Sequence, residues 1–207
     1  MNRRGCYPKR IPVTSSLFRE RSGTWANRFP LKRLREHDQI DWSRARLNGA
    51  AVASPPAGEQ TGPNPTDRGK LGRRRHLVLD RREVPPALTV TGANRHDSVV
   101  FEARVDAIPS VPGLPGRPRC RPDKRHADKG YGFARYRQPL RKRGIEPRIA
   151  RRGIESHARL GRHRWGVKRT HAWLAAFGKL RMRFERHIDI HMALLGLACA
   201  VMCSRLV

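Results

Sequence analysis

The sequence predicts an α/β fold, a mixed β-sheet flanked by helices, on three observations. A strand and then a strand hairpin precede an alternation of helix, strand, helix and strand, an order that builds a sheet with helices laid over it. Two Pro/Gly-rich stretches, 54–72 and 109–122, punctuate that order as loops without regular structure. The closing part of the chain carries an apolar stripe at 3–4 spacing, the mark of helices packed on a core.

The elements follow in order. Residues 1–43 form a basic, poorly structured N-terminal arm, with Pro8, Pro12 and Pro30 in its first part. At most it holds a short helix around Leu17–Arg28 and another over Leu31–Ser43, where Leu31, Leu34 and Ile40 fall at roughly helical spacing. The remainder, 44–207, reads as one domain. Ala45–Ala53 is a strand with Asn48 inside it. His76–Asp80 and Ala87–Thr91 make a hairpin about the turn Arg81–Pro86. Asp97 or Ser98 caps a helix that runs to about Ile108. After the second loop, the short strand Arg125–Ala127 leads into Asp128, a helix over Phe133–Arg143 and a strand over Pro147–Ala150. His157–Leu180 reads as a long helix, with Thr170, Trp173, Leu174, Phe177 and Leu180 on its core stripe and Lys168 off it. The last helix spans Phe184–Arg205.

Charge narrows the function. Against 17 Asp and Glu stand 45 Lys and Arg, a net charge of +28. A surplus spread along the whole chain repels itself unless a polyanion neutralises it, which points to nucleic acid. The competing account is a coding bias toward Arg, Pro and Gly, but such a bias does not remove acids. Arg outnumbers Lys, which suits bidentate phosphate contacts. The candidate DNA-contacting residues are Arg73, Arg74, Arg75, Arg148, Arg151 and Arg152, with Arg117–Arg125 as a further basic patch; solvated loops are the bland alternative for all of them. Four cysteines, few and irregularly placed, suit a reducing compartment better than a disulfide framework. The longest apolar run, Met192–Cys203, is too short for a bilayer, and no apolar run follows the basic N-terminus as in a signal peptide. These features predict a cytoplasmic, nucleoid-associated protein.

Asp128 stands before a Lys-Gly turn at the end of a strand, a common place to hold a metal ion; on this stretch alone the bland reading, a polar residue capping the next helix, is the stronger one. His187 with His191, and Cys199 with Cys203, have the spacing of helical zinc ligands. The two pairs lie too far apart along one helix for a single ion, so surface histidines and buried cysteines are expected. Trp165 and Trp173 read as core residues rather than base-stacking platforms.

Five stretches together carry a resemblance: Gly62–Gly72 (GPNPTDRGKLG), Leu88–Asp97 (LTVTGANRHD), His126–Tyr131 (HADKGY), Arg164–Leu174 (RWGVKRTHAWL) and Arg181–Ile190 (RMRFERHIDI). From Ala45 onward the chain resembles the RNase-H-like catalytic domain of bacterial insertion-sequence transposases with an Asp-Asp-Glu triad, of the insertion-sequence-four/five type. The resemblance implies an RNase-H-like sheet, double-stranded DNA at transposon ends as substrate, a homodimer, and two Mg²⁺ ions held by three carboxylates for phosphoryl transfer. It puts the second acid on Asp128. The first acid's position falls on Asn48 and the third's on Lys168, both departures, and Gly132 stands where a further acid is usual. Asn48 keeps an oxygen that can ligate only weakly, and Lys168 brings a cation, so the net ligand charge moves from −3 to roughly zero. The expectation is a transposase-family protein impaired in cleavage; the alternative is a non-catalytic nucleic-acid-binding remnant. Asp80 is the foremost candidate to substitute for a missing acid, with Asp41, Asp67, Glu155 and Glu185 also near the empty positions in sequence.

Overall fold

The computed structural model describes residues 28–127, 131–150 and 168–206. The sheet grows from β1 (Ala45–Ala53). On one side β1 runs antiparallel to β3 (Leu71–Leu79), and β3 runs antiparallel to β4 (Ala87–Gly92). On its other side β1 runs parallel to β5 (Lys124–Ala127), and β5 parallel to β6 (Glu146–Ile149). The two-residue β2 (Gly62–Pro63) pairs with the start of β3. This is the mixed sheet expected of an RNase-H-like fold.

Helices cover both faces. Alternation along β3 sends Val78 to one side and Leu77 and Leu79 to the other. The first side packs on α1 (Arg28–Glu36), α2 (Phe101–Asp106) and α3 (Ala134–Lys142), through Leu31, Leu34, Phe101, Val105, Tyr136 and Leu140. The second packs on α4 (168–176), α5 (Gly178–Arg181) and α6 (Ile188–Ser204), through Leu174, Leu180, Met192, Leu195 and Cys199. A strand buried on both faces needs apolar residues at consecutive positions, and Leu77-Val78-Leu79 supplies them.

Several boundaries differ from expectation, each for a visible reason. Strand β3 starts at Leu71 rather than His76, because pairing with β1 draws Arg73–Arg75 into the ladder. Helix α1 ends at Glu36, where Asp38 turns into the left-handed region (φ 52°) and Gln39 N–H reaches back to Leu34 O. The chain then folds inward: Ile40 and Trp42 join Leu31 and Leu34 in the first core cluster. A 3-10 turn over Asp97–Val100 leads into α2; its cap is His96, whose Nδ1 accepts Ser98 N–H, and Asp97 is engaged elsewhere. Residues 17–27 of the expected first helix and residues 157–167 of the long helix lie outside the described residues. Cys120 is disulfide-bonded, which the cysteine spacing did not lead one to expect. Among the described residues no helix is long and apolar enough to cross a membrane.

The last helix begins at Ile188, four residues later than its apolar pattern suggests. Residues 183–187 are instead spent on a crossing held by Arg183, which is fully buried. Its guanidinium donates to Glu59 O at 3.0 Å, Thr61 Oγ1 at 2.9 Å and Arg186 O, and its N–H donates to Ala53 O. Glu59 in turn accepts Ile188 N–H on Oε2 at 3.1 Å, satisfying an orphan donor at the start of α6. Arg183→Ala should therefore cost about 3 kcal/mol in denaturant unfolding, since it strands several buried acceptors at once.

Candidate catalytic face and nucleic-acid interface

Of the three positions the resemblance assigns to the triad, 48 lies on β1 and 168 on α4, and 128 follows the end of β5 in sequence. The Asn48 backbone pairs with Leu77 across the β1–β3 ladder; its side chain is outside what is described. Strand β5 ends at Ala127, and its parallel register pairs Arg46 with His126. Asp128 itself lies outside the described residues. Leu77 shares the second core cluster with Leu174 of α4, so that helix covers the sheet face beside position 48's register partner. Lys168 is the first described residue of α4 and is exposed, as its place off the apolar stripe predicts. Trp173, expected in the core, is 39% exposed and lies beneath the guanidinium of Arg169.

Asp80 takes no part in such a site. It is buried at the far end of β3, three residues past Leu77, and both oxygens hold backbone: Oδ1 accepts Val84 N–H and Oδ2 accepts Asp41 N–H, each at 2.8 Å. Burial pushes its carboxyl up to about 7 against the pull of those amides. Asp41 accepts Ser43 N–H and lies near Arg81. Glu185 faces His191 at 3.4 Å. Among the described residues no group of three or more His, Cys, Asp or Glu is placed to hold a metal ion.

The structure shows a part-buried ionic centre that sequence reasoning missed. Asp97 Oδ1 lies 2.6 Å from Arg74 Nε, 3.3 Å from His76 Nδ1 and 4.0 Å from Arg104. Arg104 also donates to the Tyr131 hydroxyl at 3.2 Å. Burial pushes the Asp97 carboxyl up, but His76, Arg74 and Arg104 outweigh it and hold the group at about 2. Burial drives His76 down to about 4, so it is neutral at pH 7, with Nε2 2.8 Å from Thr91 Oγ1. The centre sits under Gly49: a Cβ there would come within 2.7 Å of Asp97 Oδ1 and 2.9 Å of His76 Nδ1. A side chain next to position 48 would thus displace the network. The signal for it was Asp97 itself, whose cap-like place before a helix hid its partner role.

The basic residues divide. Arg73 and Arg75 are 0% and 2% exposed, and their guanidiniums donate to Glu59 O and Leu180 O, so they present nothing to a phosphate. Arg74 is half-buried on Asp97. Arg148 is exposed on β6, 2.8 Å from Glu146. Arg151 and Arg152 lie outside the described residues. His187 is exposed, but His191 is fully buried, and burial lowers its imidazole to about 3. Cys199 and Cys203 are free and buried, as expected.

Acid should expose the buried imidazole of His76. Its folded value lies below the 6.5 of the unfolded chain, so its contribution is complete above about pH 6.5 and is lost as pH falls toward about 4. Between pH 7 and 4.5 the native chain should lose on the order of 1–2 kcal/mol more unfolding free energy than His76→Gln, read by urea titration at both pH values.

A family model described as transposase DDE domain matches residues 36–203. A transposase assigned to insertion sequence element IS402 of Burkholderia cepacia is 50% identical over 144 residues, 70% of this chain and 68% of that protein. A chain in the cryo-EM structure of the simian T-cell lymphotropic virus intasome in complex with PP2A regulatory subunit B56 gamma aligns at 12% identity with a TM-score of 0.46, over 77% of this chain and about half (48%) of that one. On the family match and the close relative, the chain belongs to the transposase DDE domain family of bacterial insertion sequences.

Proposed function

We propose that this chain acts in DNA transposition as a DNA-binding member of the insertion-sequence-four/five group whose catalytic centre is impaired. One observation carries the reading: position 168, the third acid's place, holds an exposed lysine, the first described residue of α4. The divalent metal pair of such enzymes activates an attacking oxygen and stabilises the leaving one. Hard cations of that kind take negatively charged oxygen ligands. The donor set of this chain, an amide at 48, a carboxylate at 128 and an ammonium at 168, does not fit them. Asp80, bound to two backbone amides, is no replacement.

What remains favours binding. Lys168 offers a phosphate a cation where an acid would repel it, and Arg148 adds an exposed guanidinium on β6. Both suit metal-independent capture of double-stranded transposon ends, the behaviour of a non-catalytic nucleic-acid-binding remnant; a homodimer and association with the nucleoid belong to the same proposal on the family likeness alone. The working division is an arm over 1–43, whose residues from Leu31 pack on the catalytic-type domain at 44–207.

Two measurements test this. On a plasmid strand-transfer assay with Mg²⁺, the native chain should give no products above background, and Asn48→Asp with Lys168→Glu should gain them; transfer by the native chain would sink the reading. In fluorescence anisotropy with duplex DNA, native binding should be indifferent to EDTA, and Arg148→Ala should lower the slope of log K against log salt by about one.

A further inference from the structure

Glu83, in the turn between β3 and β4, occupies a backbone conformation that glycine would hold at no steric cost. Its φ is 72°, in the left-handed region that disfavours any residue with a Cβ. Its carboxylate is nonetheless only 8% exposed, and Oε2 accepts Arg169 Nε at 2.7 Å together with Arg169 Nη2. A charge-assisted pair of this kind fixes geometry as well as contributing energy. Arg169 directly follows Lys168, and its guanidinium lies 5.0 Å from the ring centroid of Trp173, one turn along the same helix. The turn that presents Glu83 is itself held: Asp80 accepts Val84 N–H on its side chain and Glu83 N–H, at 3.4 Å, on its carbonyl. A buried acid thus organises a turn, the turn presents a second acid, and that acid grips α4 beside position 168.

We propose that Glu83 is a positioning residue: through Arg169 it docks α4 on the β3–β4 turn and so sets where the third triad position stands relative to β1. The role assigned to position 168 rests on the functional reading above; the docking does not.

Hydrogen exchange on the full chain tests the docking. Glu83→Gln should speed exchange at amides 170–176 about tenfold while amides 46–53 of β1 keep their rates. Glu83→Gly, which removes the carboxylate but relaxes the backbone, should do the same with a Tm within about 4 °C of the parent. Unchanged exchange at 170–176, or a rise matched in β1, overturns the docking. The positioning role is read in the Asn48→Asp, Lys168→Glu chain, where adding Glu83→Gln should raise the Mg²⁺ concentration for half-maximal strand transfer about tenfold, with Glu83→Asp recovering part of it. An unchanged Mg²⁺ requirement overturns the role. A doubly reverted chain with no Mg²⁺-dependent transfer overturns the triad reading and the role with it, whatever the exchange rates show.

Discussion

The antiparallel ladder between β1 and β3 is the constraint on which the other contacts depend. It runs in unbroken register from Arg46 opposite Leu79 to Ala53 opposite Gly72. Strand side chains alternate with period two, so a slip of one residue would send Val78 to the layer that receives Leu77 and Leu79, and put His76 on the wrong side of the sheet. That register brings Gly49 over Asp97 and places position 48 against a residue that packs with α4. Both helix layers, the ionic centre and the placement of position 48 beside α4 follow from this one pairing.

The elements whose signal is local were legible. Strand β1 matches Ala45–Ala53 residue for residue, the β3–β4 hairpin follows from its two apolar runs, and α3 lies within one residue of its expected limits at each end. What escaped depends on partners distant in sequence. Arg73–Arg75 read as a loop patch because three consecutive cations oppose burial; carbonyls of Glu59 and Leu180 and the carboxylate of Asp97 reverse that. Ile40 and Trp42 read as the edge of an arm, yet Trp42 O accepts Asp123 N–H from beyond the second loop and ties the segment to the sheet. Of the candidate site, the sequence located the strand and helix that carry positions 48 and 168. It could not reveal the Asp97 network, because nothing in a run of single residues says which acid meets which cation.

The charge count also needs dividing. Five arginines, Arg73, Arg75, Arg104, Arg125 and Arg183, are almost wholly removed from solvent. Burial lowers Arg73 and Arg125 to about 9, below any ordinary guanidinium. Arg125 lies over the Phe101 ring, with the Arg104 cation nearby disfavouring its charge further. These side chains keep their charge at pH 7 but are too buried to contact a phosphate directly. The cations free to touch a phosphate are accordingly fewer than +28 suggests, and lie at exposed positions such as Arg148.

The seam at Glu59 carries a consequence for how the molecule is made. The loop after β1 is sealed by Arg183 and by the first amide of α6, partners more than 120 positions further along the chain. A ribosome releases the amino-terminal part first, so the loop must wait, with its carbonyls hydrated, until Arg183 and Ile188 have emerged. Closure of so distant a contact comes late in folding and makes the opening loop and the terminal helix a single cooperative unit. A nascent chain halted before the final helix would therefore leave its early loop as unsettled as its missing end.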